Sequence, residues 1–322
     1  EKVGHDFNDL CVEQGPDAVR TQLDKFVELD QGPVNKFASR FITGADLHQS
    51  FLATLKQGWT VQGVWPETSS LSLVYGPPGT FKSFLVLDMV LSIGSGLEWH
   101  GRAVKQRSIV YSAAEGQAGV LKRICAWKKY HEVDQIDSFT LLPMPCLVDD
   151  DAELTAFIHS FQFLPETPQI VVLDTLARSM LGDENSTADM GKVVIAAGKI
   201  AEQTGAQVLI VHHTGKDESR GARGAIALTG ATDTMFKTAK TDHKEVSLIC
   251  ERQKDDEPTP DLVFNMQTVD TGYINQDQEP VMSLVPVLDP EAMKERRAKQ
   301  KNHLKGQNKI AMAALNLGIN FT

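Results

Sequence analysis

The stretch 71-LSLVYGPPGTFKSFLVLDMVLS-92 constrains this chain more than any other. An apolar run is followed by a Gly/Pro turn and Lys82-Ser83, and then by a segment with Leu85, Met89 and Ile93 on one helical face. Strand, loop and helix in that order approximate G-x-x-x-x-G-K-[ST], in which successive backbone N–H groups and a helix N-terminus cradle phosphates. Gly76, Pro77, Pro78, Gly79, Thr80, Phe81, Lys82 and Ser83 are therefore read as an ATP-binding loop, with Lys82 on the β- and γ-phosphates and the Ser83 hydroxyl on Mg²⁺. The pattern asks for glycine where Phe81 stands. If the backbone there needs φ > 0, a bulky side chain costs about 1 kcal/mol or more, with Gly79 supplying part of the lost freedom.

A phosphate loop does not separate a kinase from a motor, so the next polar strand ends carry the argument. Asp174 closes the apolar run 169-QIVVLD-174, the position from which an acid holds Mg²⁺ in this chemistry. Glu115 ends 107-RSIVYSAAEG-116, read as leaving the strand next to the loop, where a carboxylate can polarise the water that attacks the γ-phosphate. His212-His213-Thr214 end the run 206-AQVLIV-211, and His213 is the candidate to touch the γ-phosphate or the attacking water. Lys216, Arg220 and Arg223 lie in a Gly-rich loop too polar for a core, and such arginines can reach a neighbouring copy's nucleotide. Each residue also has a plain alternative: a solvated acid at a strand end, a structural histidine, or a surface cation.

Around these motifs the chain reads as an α/β protein. Strands at 71–75, 107–112, 169–173 and 206–211 alternate with helices at 83–95, 117–131 and 188–203, which predicts a mostly parallel sheet covered on both faces. Strand-like stretches at 231–238, 245–250 and 261–269 predict antiparallel additions at one edge. Residues 1–59 read as a helical segment, with Val19, Leu23, Phe26 and Val27 on one helix face and Leu47, Phe51, Leu52 and Leu55 on another. Residues 60–288 form the nucleotide-binding core, and 289–322 a basic helical tail with seven Lys or Arg against two Glu through Lys309.

The 32 basic and 42 acidic residues give a formal charge of −10, so any contact with nucleic acid needs a local basic patch. Lys216, Lys237, Lys240, Arg252 and Lys254 are candidates, equally readable as solvated charges. No apolar run reaches the roughly 18 residues a membrane span needs. Cys11, Cys125, Cys146 and Cys250 are scattered without a C-x-x-C pair, which speaks against a zinc site or disulfide framework and for a reducing, cytoplasmic setting.

Taken together, 71-LSLVYGPPGTFKSFLVLD-88, 109-IVYSAAEG-116, 170-IVVLDTLARSM-180, 208-VLIVHHTGKD-217 and 221-GARGAIALTGATD-233 resemble the RepA-like, RecA-fold hexameric replicative helicases of plasmids and phages. The resemblance covers roughly residues 60–270 and lacks the usual glycine at position 81. It implies a RecA-like P-loop core and a ring of about six copies with ATP between neighbours. It also implies Glu115 as catalytic base, Arg223 as a finger in trans, and loops facing single-stranded DNA in a central channel. The opening 4-GHDFNDLCVEQGPDAVRTQL-23 is similar to the end of a TOPRIM primase domain, which suggests a covalently linked primase portion upstream. Asp6 and Asp9 could belong to its metal site, or simply cap a surface helix. The tail 304-LKGQNKIAMAAL-315 looks like the first helix of a winged-helix module. Other readings are a recombinase-like or regulatory ATPase that does not unwind DNA, a small-molecule kinase, and a scaffold slowed by Phe81.

Overall fold

The computed structural model describes residues 41–54, 58–114, 116–214, 226–240 and 244–298. The chain divides into two compact units, Glu1–Lys56 and Gln57–Thr322. Within the described part of the first unit there is one helix, α1 (Leu47–Thr54), whose Leu47, Phe51 and Leu52 are all exposed. The helix expected at 16–29, the aspartates at 6 and 9, and the tail beyond 298 lie outside the described residues.

The second unit opens with a small antiparallel pair, β1 (Trp59–Val61) and β2 (Trp65–Pro66). Its frame is one nine-stranded sheet. In chain order this runs β3 (Leu71–Gly76), α2 (Lys82–Ser95), β4 (Ile109–Ala113), α3 (Gln117–His131), β5 (Phe139–Leu142), α4 (Asp151–Ser160), β6 (Ile170–Asp174), α5 (Thr187–Thr204), β7 (Gln207–His213) and α6 (Ile226–Ala231). Four further strands follow: β8 (Thr234–Lys240), β9 (Glu245–Gln253), β10 (Leu262–Ile274) and β11 (Pro280–Leu288). Across the sheet the order is β11-β10-β9-β8-β3-β7-β6-β4-β5. From β8 to β5 every pairing is parallel, and from β8 to β11 every pairing is antiparallel. The molecule is thus an α/β protein with a mostly parallel central sheet and antiparallel edge strands.

The central strands are apolar because both of their faces are covered. Alternate residues enter opposite cores: Val74, Tyr111, Val172 and Val211 pack on one face with α2 and α3, and Leu73, Val110, Val171 and Ile210 pack on the other with Met190, Val193 and Ile200 of α5. One carboxylate stands inside the first core. Asp88 of α2 accepts hydrogen bonds from the indole N–H groups of Trp99 (2.7 Å) and Trp127 (2.9 Å), and His100 Nε2 lies 2.9 Å away. Burial pushes its pKa up, but the hydrogen bonds from His100 and Trp99, with the His131 ring nitrogen 3.7 Å away, outweigh this and hold it below the usual carboxylate value.

Some expectations need correction. The stretch read as strand from 231 is helical through Ala231, and β8 starts at Thr234. β5, α4 and β11 were not expected. β4 is also not the strand next to the phosphate loop: β7 and β6 separate it from β3, because the α2 crossover carries the chain past two positions that later strands fill.

A phosphate loop and its polar strand ends

The crossing pattern places the carboxyl ends of β3, β7 and β6 side by side, the place where open parallel sheets collect their ligands. β3 ends at Gly76, which the parallel register sets beside His213 of β7; Val211 of β7 in turn lies beside Asp174 of β6. Gly76 cannot carry a side chain here. A Cβ at this position would lie 2.4 Å from Thr238 Oγ1 and 2.6 Å from the Thr238 carbonyl oxygen of β8.

The loop that follows is held from within. Thr80 Oγ1 donates to the Pro77 carbonyl (2.8 Å) and lies 2.7 Å from Thr238 Oγ1, so loop and β8 are tied together. Lys82 is 3 % exposed, and its ammonium donates to the carbonyls of Gly76 and Pro77, each at 2.8 Å. Phe81 precedes α2 with φ 58° and ψ 22°, in the left-handed region where the usual motif has glycine, and Gly79 is also left-handed at φ 77°. The Phe81 ring meets Phe84 edge-on at 5.9 Å and lies 5.4 Å from the Lys240 ammonium. No side chain caps the start of α2 and no acid occupies its first turn, so its N–H groups and positive dipole end face the loop.

Ser83 donates to Asp174 Oδ1 at 2.9 Å, and the Tyr111 hydroxyl donates to Asp174 Oδ2. The Asp174 carbonyl accepts from the Ala114 N–H at 2.7 Å, which fixes the end of β4 against the end of β6. Ser83 and Asp174 provide oxygen atoms that suit Mg²⁺, a cation that usually takes only one or two protein ligands and completes its shell with phosphate and water. Among the described residues no group of three or more His, Cys, Asp or Glu could hold a metal.

His212 is buried at 4 % exposure, whereas His213 is half-buried. Burial first, then the charges of His213 and Lys82, push the His212 pKa down to about 4. Its Nδ1 faces Glu184 Oε2 at 3.5 Å. Burial and the neighbouring Asp183 raise the Glu184 pKa.

The structure thus brings together Gly76 through Ser83, Asp174 and His213. Glu115, Lys216, Arg220 and Arg223 lie outside the described residues. His212 was named in the sequence reading only beside the preferred His213, and Tyr111, Thr238 and Glu184 were missed by it. Each is joined to the site by pairing between residues distant in the chain, for which the sequence carries no local signal.

A family profile described as AAA domain matches residues 48–219, more than half of the chain. The chain belongs to the AAA domain family. Its α/β sheet and its strand, phosphate loop and helix agree with that membership. Among solved structures it is similar to one titled "Crystal structure of the RadB recombinase", with 14 % identity and a TM-score of 0.43 over 68 % of this chain and 94 % of that one. No curated protein sequence matches it. No described helix of this AAA domain protein is long and apolar enough to cross a membrane.

Proposed function

We propose that this chain is the ATP-hydrolysing motor of a replicative DNA helicase, splitting ATP between neighbouring copies in a six-membered ring, as in the family it resembles, to travel along single-stranded DNA and open duplex. The observation that carries the nucleotide half is the convergence of Lys82, Ser83, Asp174 and His213 on the open start of α2. Lys82 exchanges its two carbonyl acceptors for phosphate oxygens, while the N–H groups of the loop and of α2 bind the remaining charge. Mg²⁺, when bound, offsets charge on the β- and γ-phosphates, and Ser83 and Asp174 would hold it. Glu115, the next residue in the sequence after Ala114, is the base that takes a proton from the attacking water. His213 orients that water or the γ-phosphate. Arg223, with Arg220, reaches the nucleotide of the next copy.

The DNA half rests on the five sequence stretches that resemble the RepA-like helicases; in this reading residues 60–288 are the motor and an upstream primase portion is its covalent partner. One observation favours a second reading, a RecA-fold DNA-dependent or regulatory ATPase that does not unwind. Of the basic residues considered for the channel, Arg252 donates to the Thr229 carbonyl at 3.0 Å and Lys254 pairs with Asp233 at 3.4 Å, so both are engaged within the protein. ATP turnover with and without single-stranded DNA, forked-duplex unwinding, and mass with nucleotide separate the two. A DNA-stimulated ring that opens forks supports the motor. Stimulated turnover without unwinding supports the alternative.

A further inference from the structure

Buried polar atoms ordinarily have partners, and two here have only each other. His212 Nδ1 and Glu184 Oε2 are both buried, neither has a hydrogen-bond partner, and they lie 3.5 Å apart. The distance is at the outer limit of a hydrogen bond and well beyond the usual 2.7–2.9 Å of a charge-assisted one. His212 is the residue before His213 on β7, opposite Tyr75 at the end of β3. Glu184 belongs to the connection between Asp174 of β6 and the start of α5 at Thr187. The rest of that connection is anchored elsewhere. The N–H groups of Leu181 and Gly182 bond to the Asp149 carboxylate at 2.8–2.9 Å, and Ser186 caps α5 by accepting from the Asp189 N–H.

We propose that Glu184 is a positioning residue for ATP hydrolysis, its carboxylate setting the place of the His212 ring and through it the neighbouring His213 at the nucleotide. A closure of under 1 Å turns the facing atoms into a hydrogen bond from Nδ1–H to the carboxylate. That bond fixes the ring with its proton on Nδ1 and ties the end of β7 to the segment that follows Asp174. The strand end carrying His213 then moves with the loop behind the Mg²⁺-binding aspartate, so both sides of the γ-phosphate site respond together. This inference rests on the hydrolysis reading above.

The test compares the parent chain, Glu184→Gln and Glu184→Ala in steady-state ATP turnover, and binding of a non-hydrolysable ATP analogue. It is paired with ¹⁵N NMR of the histidine rings with and without that analogue. Glu184→Ala is expected to lower kcat about 10- to 100-fold while analogue affinity stays within about twofold, since displacing a group by about 1 Å has effects of that size. Glu184→Gln, whose amide oxygen still accepts from Nδ1–H, recovers most of the rate. In the parent chain the analogue shifts the His212 Nδ1 signal toward the hydrogen-bonded form, and in Glu184→Ala it does not. The proposal is overturned if Glu184→Ala turns over at the parent rate, if Gln and Ala are equally impaired, or if affinity falls as far as kcat. A parent chain that binds the analogue but releases no phosphate from ATP overturns the hydrolysis reading itself, and this proposal with it.

Discussion

At Phe81 two opposed effects of similar size meet. A left-handed backbone costs a bulky residue about 1–2 kcal/mol. The ring recovers a comparable amount, since an aromatic pair contributes about 0.5–1.5 kcal/mol and an exposed cation–ring contact about 0.5–1 kcal/mol. Phe81→Gly should therefore change stability by less than about 1 kcal/mol, whereas Phe81→Ala keeps the strain and loses both contacts and should be the less stable of the two. Urea unfolding of both variants checks this, and equal midpoints would show that the left-handed conformation is not strained. His212 gives a second prediction at this scale. The unfolded chain takes up a proton near the ordinary histidine pKa of 6.5, which the folded chain refuses until about 4. Stability therefore falls as pH drops from 6.5 toward 4, by up to about 3 kcal/mol. His212→Gln should flatten that slope; a slope identical to the parent's would mean that His212 does not carry it.

Among the elements, the contact between α2 and α3 turns on one side chain. Asp88 accepts from the indole of Trp127 on α3 and from that of Trp99, which follows α2 in the chain, and removing it leaves both buried N–H groups without their acceptor. Asp88→Ala should cost about 3 kcal/mol or more in chemical denaturation, and a loss below about 1 kcal/mol would contradict the arrangement. Because its folded pKa is depressed, the Asp88 contribution is present above about pH 4 and is lost only as pH falls below that, in a window distinct from that of His212. The strands and helices with long apolar periods, β3, β4, β6, β7, α2, α3 and α5, were legible in the sequence because burial on two faces and on one stripe leaves different spacings. β5 was not, since its four residues are all half-buried and carry no alternation. Residues 226–230 of α6 fall in the stretch read as a Gly-rich loop, and the strand read from 231 begins only at Thr234. The loop residues of the site were legible because their spacing is local, whereas Thr80–Thr238 and His212–Glu184 arise from strand order, which no window of sequence contains.

At the scale of the whole molecule, the proposed ring sets Arg223, with Arg220, at the nucleotide of the next copy. Arg223→Ala should bind ATP and fail to split it, and mixing it with Lys82→Ala chains should restore part of the turnover in mixed assemblies, as measured by phosphate release. Absence of recovery at every ratio would contradict a finger acting across the junction. All of these expectations depend on a triphosphate lying on residues 76–83. The most direct measurement is a structure with Mg²⁺ and a non-hydrolysable ATP analogue. The account predicts that the β- and γ-phosphates lie over Lys82 and the start of α2, with the cation between Ser83, Asp174 and the phosphates. Phosphate density anywhere else, or Asp174 turned away from the cation, would contradict it.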